Sequence, residues 1–454
     1  MVRRRKSFAI SLVVVMLLTL MPMSAFADWE QFQGDIKHNG VTTDNLPISD
    51  SVEAWATATQ SGGWFGVDVV PLVIGNDTYV FANSKLYKMD VRTGDKEWEV
   101  VVDANGGFQL CNPATDGSNI YLGADDGSGV KIKKISNLNG TPKVTDIITL
   151  AEGGQLNTPI TYKNGKLYFG SWKGTWNQTK SGLYYCVDAS SGHIDWKYTG
   201  VENDGREDGF YWAGAAIVGD NVIFGNDASY IHVLNKNNGK EEQKIDLKAI
   251  HSDAAQVRSS ICVYDNSAYF TDKSGYLWKL DIDGNGKLTY DWSKKLDSQA
   301  TSTPVVAYHK DFDEDRIYVG VGQFSGGKIV CYDTNGNLVW EYAGIGGVQS
   351  SPIVYSDDVY NYIYFTENSA KGKCYCIMDD GLDASLVWDF TPAAGQQNYT
   401  LQGMAPAGEY VIFGNDSGYV FGIKQGIVSR ALAIELLQEP KVENVTNSVY
   451  GKDQ

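Results

Sequence analysis

Short apolar runs separated by glycine-containing turns recur along the whole chain. Several of these runs contain an aromatic residue and close on glycine: Ile120–Gly123, Leu167–Gly170, Val222–Gly225, Ile317–Gly320 and Val411–Gly414. The run that follows leads into a tight hairpin signal, such as Thr93-Gly94 or Asn238-Gly239. Runs of this length between such turns predict β-hairpins. The pattern therefore predicts an all-β fold.

Tryptophan marks one position in a longer repeat. The tryptophans that end an apolar run are Trp55, Trp98, Trp196, Trp292, Trp340 and Trp388. Their separations of 43, 98, 96, 48 and 48 residues fit a period of about 48, with the two long gaps holding two repeats each. The replaced tryptophans of the hidden repeats lie near Ile147 and Ile245. Four short strands in each such period are typical of a β-propeller blade.

The repeat positions count eight blades, and the last blade is incomplete in sequence. After Trp388, three strands follow and end near Ile423, whereas Ser51–Thr57 is a lone strand with no blade before it. We predict that this N-terminal strand becomes the outer strand of the last blade, which would remove exposed sheet edges. Seven blades are the alternative, if the unit at 108–150 or at 209–247 is not a full blade.

The first 27 residues have the pattern of a secretory signal peptide. Residues 3–6 are basic, residues 8–20 form an apolar run, and Ala25-Phe26-Ala27 is a small-x-small cleavage site. We expect residues 28–424 to form the propeller and residues 425–454 to form a short helix and a flexible tail. We therefore expect export to the cell surface, the periplasm or the extracellular space, without a transmembrane segment.

Composition narrows the function classes. The chain of 454 residues has 49 Gly and 27 Tyr, and its formal net charge is −17. An acidic chain of this kind is not expected to bind nucleic acid, because phosphate binding requires a basic surface. The six cysteines lie in apolar runs, so we expect buried thiols, although an exported chain permits disulfides. We expect a monomer.

The segment Asp90-Val-Arg-Thr-Gly-Asp-Lys-Glu-Trp98 resembles the tryptophan-docking repeat of the quinoprotein (PQQ-like) propellers. The same residue types return twice, the second time one residue shorter: Asp188, Gly192 and Trp196, then Asp333, Gly336 and Trp340. Residues 28–40 are also similar to the mature N-terminus of that family. In such a motif the indole packs between blades, glycine makes the hairpin turn, and aspartate bonds the backbone N–H groups of the turn.

The resemblance implies two kinds of function. The superfamily includes PQQ-dependent alcohol and sugar dehydrogenases, and also a non-enzymatic lipoprotein that scaffolds outer-membrane β-barrel assembly. The dehydrogenases stack the quinone on a disulfide of adjacent cysteines, but this chain has no adjacent cysteine pair. The lipoprotein requires a lipid-attached cysteine, which is missing near the predicted cleavage site.

We therefore predict an exported, non-catalytic binding or scaffold protein that recognises a protein or glycan partner through its loop face, without PQQ. The alternative is a PQQ- or metal-dependent oxidoreductase.

Two long loops and a set of glutamines are candidate ligand-binding positions. Loops that join strands two and three, and loops that join blades, share one face of a propeller. The aromatic and charged candidates on two of these loops are Trp172, Trp176, Arg206, Tyr211 and Trp212. Exposed rings offer stacking area for a glycan or peptide, although such rings can equally pack down and hold their own loops. The glutamines that precede the first strands, near the channel mouth, are Gln109, Gln155, Gln349 and Gln402.

One loop matches the first half of a calcium-binding loop. Asp281, Asp283 and Asn285 are spaced two apart and Gly286 follows, as in a D-x-D-x-N-G sequence. The twelfth position is Trp292 rather than Glu, but Asp291 lies just before it. These residues are a candidate Ca²⁺ site, and the alternative is an ordinary hairpin built from turn-favouring residues.

Overall fold

The computed structural model describes residues 27–59, 66–103, 110–125, 129–152, 154–173, 181–200, 206 and 209–426. Two strands precede the first blade, β1 (Val41–Thr42) and β2 (Ser51–Ala58). The strands of blades one to four are β3 (Leu72–Ile74), β4 (Asp77–Ala82), β5 (Lys85–Asp90), β6 (Lys96–Val101), β7 (Ala114–Thr115), β8 (Ile120–Asp125), β9 (Val130–Ser136), β10 (Lys143–Thr149), β11 (Thr161–Lys163), β12 (Lys166–Gly170), β13 (Leu183–Asp188), β14 (Ile194–Thr199), β15 (Ala216–Val218), β16 (Asn221–Gly225), β17 (Tyr230–Asn235) and β18 (Glu241–Asp246).

A single-turn helix, α1 (Leu247–Ile250), follows the fourth blade. The strands of blades five to eight are β19 (Cys262–Tyr264), β20 (Ser267–Thr271), β21 (Tyr276–Ile282), β22 (Leu288–Lys295), β23 (Val305–His309), β24 (Glu314–Val321), β25 (Gly327–Asp333), β26 (Leu338–Ile345), β27 (Ile353–Ser356), β28 (Asn361–Thr366), β29 (Cys374–Asp379), β30 (Ala384–Phe390), β31 (Ala405–Ala407), β32 (Tyr410–Gly414) and β33 (Tyr419–Gln425). Within the described residues, no helix is long and apolar enough to cross a membrane.

Strands β2 to β33 form eight antiparallel blades of four strands, as the repeat period predicts, and β1 adds a short parallel strand to β27 of blade seven. The second and third strands of each blade are buried on both faces, because neighbouring blades cover them; β16, for example, is buried throughout. The outer strands are only partly covered and alternate in exposure, as in β6. The eight-bladed propeller predicted from the sequence is therefore confirmed, and the seven-bladed alternative is wrong.

The N-terminal strand closes the ring as predicted. Strand β2 pairs antiparallel with β33, and Trp55 lies opposite Gly422. The Trp55 indole donates from Nε1 to the Val91 carbonyl oxygen of blade one at 2.8 Å. A Cβ atom on Gly94 would lie 2.5 Å from the indole, and one on Gly422 would lie 2.3 Å from it. Glycine is therefore required on both sides of this ring.

The same docking joins other blades. Trp98, Trp196 and Trp292 each donate from Nε1 to a backbone carbonyl oxygen of the next blade, at 2.9, 2.8 and 3.0 Å. The predicted role of the turn aspartate is also confirmed, since Asp90 Oδ1 accepts from the backbone N–H groups of Arg92 and Thr93. Trp340 bonds instead to the Asp379 carboxylate of the next blade, and Trp388 bonds to the Pro47 carbonyl oxygen just before β2. An indole hydrogen bond to the following unit thus recurs in the blade packing.

The segment at residues 29–44, which we call the plug, crosses one end of the propeller and bonds to all eight blades in order. Its bonds to the first five blades join Trp29 to Val73, Glu30 to Thr115, Gln31 to Tyr162, Ile36 to Ile217 and Lys37 to Val263. Its bonds to the last three join Asn39 to Val306, Gly40 to Val354 and Asp44 to Gly408. The plug therefore pairs with the inner edges of the blades, which would otherwise carry unpaired backbone groups.

Candidate functional site

The two ends of the axial channel differ. At the end with the plug, the buried ring of Phe32 stands beneath an axial cavity of about 30 Å³. At the opposite end, which we call the mouth, loops from several blades surround a cavity of about 400 Å³. The residues that line the mouth are Asp68, Tyr211, Trp212, Arg258, Gln323, Phe324, Gln349, Asn368, Tyr399, Leu401 and Asp416. A ligand therefore has room at the mouth.

Two carboxyl groups meet at one side of the mouth. Asp68 precedes the first blade and Asp416 lies in the loop between β32 and β33. A Cβ on Gly66 would lie 2.4 Å from the Asp416 Cα, so glycine permits the close approach of these two loops. Burial, followed by the charge of Asp416, raises the pKa of Asp68 well above its ordinary value, and burial raises the pKa of Asp416. The hydrogen-bonded pair therefore shares a proton to higher pH than an isolated carboxyl would.

Replacing Asp68 with asparagine is expected to stabilise the protein at pH 7 by about 1 kcal/mol. The folded pKa of Asp68 lies above the unfolded value, so the folded state binds more protons and loses stability as the pH rises above about 4. Asparagine removes this titration, and its advantage should vanish near pH 4. Urea unfolding at both pH values measures the effect, with the exposed Asp50→Asn as control; an advantage that is equal at both pH values would contradict the assignment.

An arginine crosses the floor of the mouth but is already neutralised. Arg258 donates from Nε and Nη2 to both carboxylate oxygens of Asp227, at 3.0 and 2.9 Å. Its guanidinium also lies over the ring of Tyr211, 4.4 Å from the centroid. Burial raises the pKa of Tyr211 to about 12, so this phenol stays protonated at neutral pH. The Arg258 charge is therefore engaged within the protein.

Trp212 is the residue at the mouth with the most unusual backbone. Its φ is +64°, in the left-handed region that a tryptophan adopts at an energetic cost. Its indole lines both the mouth and the small axial cavity. The indole Nε1 is buried and has no hydrogen-bond acceptor within the described part of the chain. Backbone strain and an unsatisfied donor together mark a binding position.

Two exposed aromatic rings form part of the wall of the mouth. Phe324, in the loop between β24 and β25, is 53% exposed, and Tyr399, between blades seven and eight, is 38% exposed. The two rings meet edge to face with their centroids 6.1 Å apart. Large apolar side chains this exposed beside a cavity are typical of a binding surface.

Only some of the candidate binding residues on the two long loops line the mouth. Tyr211 and Trp212 lie at the mouth. Trp172 is only 5% exposed, because it donates to Asp227 at 3.2 Å and packs against Tyr211, so its ring holds the loop in place. Arg206 binds both oxygens of Asp246, at 2.9 and 2.7 Å, away from the mouth. Trp176 lies outside the described residues.

The candidate glutamines also lie in different places. Gln349 and Gln402 line the axial cavity, where the sequence places them. Gln349 Oε1 accepts from Asn368 Nδ2 at 2.7 Å. Gln155 forms an isolated bridge with Trp172 and its side chain accepts from Asn157, so it is not part of the mouth lining. Gln109 lies outside the described residues.

The candidate calcium residues occupy the hairpin between β21 and β22. Asp283 Oδ1 accepts from the backbone N–H groups of Asn285 and Lys287, at 2.8 and 2.9 Å, and these bonds lower the pKa of Asp283. Asp281 and Asp291 both lie near the ammonium of Lys279, at 3.7 and 2.8 Å. Within the described residues, no group of three or more His, Cys, Asp or Glu is placed to hold a metal ion. Calcium binding by this loop stays a prediction.

None of the residues that line the mouth is a cysteine. All six are free and buried, as the apolar runs predict. Burial raises the pKa of Cys111 to about 12, and the other thiols shift in the same direction for the same reason. These thiols are therefore inert packing residues.

Sequence comparison identifies one family model. Residues 277–428, which run from within β21 to just beyond β33, match the model described as outer membrane protein assembly factor BamB. No curated protein matches the chain significantly.

Solved structures of similar fold include both assembly factors and oxidoreductases. BamB from Moraxella catarrhalis is 15% identical, with a TM-score of 0.59 over 83% of this chain and 100% of that one. Quinohemoprotein alcohol dehydrogenase ADHIIG from Pseudomonas putida HK5 is 13% identical, with a TM-score of 0.66 over 88% of this chain and 80% of that one. A europium-containing methanol dehydrogenase is 13% identical, with a TM-score of 0.63 over 88% of this chain and 98% of that one. The family match and the docking motifs support the PQQ-like β-propeller repeat, and the solved structures show that the chain shares the propeller fold.

Proposed function

We propose that this chain is an exported, non-catalytic binding module that recognises a protein or glycan partner through its loop face, with the mouth at the centre. The observation that carries the proposal is the mouth itself, an aromatic-walled cavity with an unsatisfied indole donor. The plug bonds to every blade at the opposite end, so the disc is a rigid support for the loops. The match to an assembly factor supports a partner-binding role.

A quinone-dependent oxidoreductase is the second candidate, because two of the similar structures are dehydrogenases. The residues at the mouth do not fit the quinone, which is a tricarboxylate. Asp68 and Asp416 contribute negative charge, and Arg258 is bound bidentate by Asp227. An anion would thus meet repulsion without a free guanidinium to offset it. The oxidoreductase is therefore the weaker candidate.

Titration with PQQ and Ca²⁺ separates the two candidates. We expect no bound-quinone absorption and no dye-linked dehydrogenase activity from the purified mature protein, because the mouth repels a tricarboxylate. Stoichiometric quinone binding with dehydrogenase activity would overturn the proposal.

The binding role is tested by arrays of purified envelope proteins and glycans. We expect Tyr399→Ala to abolish the strongest signal given by the wild type, since its ring forms a wall of the mouth. Tyr308→Ala is the matched control, because Tyr308 is 46% exposed at the end of β23, on the side of the plug. Equal loss in both variants, or no loss in either, would remove the mouth from the proposal.

A further inference from the structure

The walls of the mouth select the shape of a ligand. Phe324 and Tyr399 present ring faces and edges to the cavity from two separate loops. Such rings bury the apolar face of a flat or saucer-shaped molecule, because removing that face from water is favourable. The amides of Gln323, Gln349 and Asn368 stand among these rings and can bond groups on the rim of the molecule. The ligand therefore has an apolar face and a polar rim.

Trp212 selects the kind of polar group. An indole Nε1–H can only donate, and this one is buried without an acceptor in the described part of the chain. A buried donor without a hydrogen-bond acceptor destabilises the protein, and a ligand oxygen that accepts this bond would remove the cost. An ammonium group cannot accept this bond, so a cationic amine leaves Trp212 unsatisfied. A hydroxyl or ring oxygen satisfies it.

The charged residues select the charge of the ligand. Arg258 is neutralised by Asp227, so a carboxylate or phosphate does not find a free guanidinium at this residue. Asp68 and Asp416 share a hydrogen bond and repel an anion. A hydroxyl group can donate to one of these carboxyls and accept from the other, which neither an anion nor a cation can do.

We propose that the mouth binds a neutral pyranose, packed against the perpendicular rings of Phe324 and Tyr399, with one oxygen accepting from Trp212 Nε1 and one hydroxyl bonded to the Asp68–Asp416 pair. This inference deepens the proposed function and depends on it. It names the ligand class of the same mouth as a neutral saccharide unit, rather than a peptide, an amine or a carboxylate.

Calorimetric titration of the mature protein tests the ligand class with named probes. The probes are maltose, cellobiose and N,N′-diacetylchitobiose, with citrate and propylammonium as charged comparisons. We expect at least one disaccharide to bind with a Kd on the order of 1 mM or tighter, and the charged probes to bind at least about tenfold more weakly. No binding by any of the three disaccharides, or tighter binding by citrate or propylammonium, would overturn the inference.

Variants locate the binding. We expect Trp212→Phe to weaken the best disaccharide about tenfold, because it removes one hydrogen bond and keeps the ring. Phe324→Ala should weaken it by a similar factor, and it is safe for folding because the side chain is largely exposed. Phe312→Ala, an exposed phenylalanine near the other end of the propeller, should leave binding unchanged.

Disaccharide binding that persists in both mouth variants overturns the inference. If every disaccharide fails while Tyr399→Ala still abolishes binding of an array protein, the saccharide inference falls and the proposed function stands.

Discussion

Replacing Trp55 with alanine is expected to lower the free energy of unfolding by about 4 kcal/mol. The indole is buried between β33 of the last blade and the hairpin of the first, where it bonds to the Val91 carbonyl oxygen at 2.8 Å. The ring lies directly against Gly94 and Gly422, which have no side chains that could fill the space left by the removed indole. The cavity therefore opens at the junction that closes the ring. Urea unfolding of the wild type and the variant measures the loss.

Val52→Ala is the matched control on the same strand. Val52 is 45% exposed, so we expect a change of less than about 0.5 kcal/mol. A Trp55→Ala variant as stable as Val52→Ala would mean that β2 does not close the last blade.

Acidification is expected to remove about 3 kcal/mol of stability through His38 alone between pH 7 and pH 4. His38 belongs to the plug and is fully buried, with Nε2 at 3.3 Å from Thr161 Oγ1 and its ring against Phe32. Burial lowers the pKa of His38 from 6.5 to about 4. Below pH 6.5 His38 therefore binds a proton in the unfolded chain but not in the folded chain. The free energy of unfolding falls with decreasing pH until the pH reaches about 4.

His38→Gln removes this titration while keeping a polar side chain. We expect the wild type to lose about 3 kcal/mol more than His38→Gln over that pH range, in urea unfolding at each pH. The exposed His193→Gln should follow the wild type. Parallel stability profiles for the wild type and His38→Gln would show that the plug histidine is not buried in the folded protein.

The architecture could be predicted because similar local contacts recur from blade to blade and require similar residues at a regular spacing. The Trp98 indole meets a hairpin only about forty residues later, and that hairpin has Asn137 and Gly140 at its turn. Even the repeats without tryptophan keep the geometry, since a Cβ on Gly192 would lie 2.1 Å from the Ile147 carbonyl oxygen. Ring closure followed from the count of strands alone.

The mouth could not be predicted because its residues come from loops far apart in sequence. Asp68 and Asp416 are nearly 350 residues apart and meet only once the ring is closed. Phe324 and Tyr399 follow no spacing rule, and a sequence does not reveal which aromatic residues remain exposed. The local signals were the aromatic residues Tyr211 and Trp212 and the position of Gln349 before a first strand.

The plug and Arg206 show a second limit of the sequence. Residues 28–40 resemble the N-terminus of the quinoprotein propellers, but several of the bonds between the plug and the blades use backbone groups, which carry no residue preference, whereas Gln31, Asn39 and Asp44 use side chains. Arg206 stands in a loop of carboxylates and aromatics, yet Asp246 of β18 binds it. Long side chains reach partners that spacing does not show.

Amide hydrogen exchange of the unliganded protein tests most directly whether the plug closes one end of the propeller and leaves the mouth as the open end. The amide of Val263 donates to the Lys37 carbonyl oxygen and that of Val354 to the Gly40 carbonyl oxygen, both at 2.8 Å. We expect these two amides to exchange as slowly as amides inside the blades, whereas Phe324 in the mouth exchanges rapidly. Rapid exchange at Val263 and Val354 would contradict the closed end of the propeller.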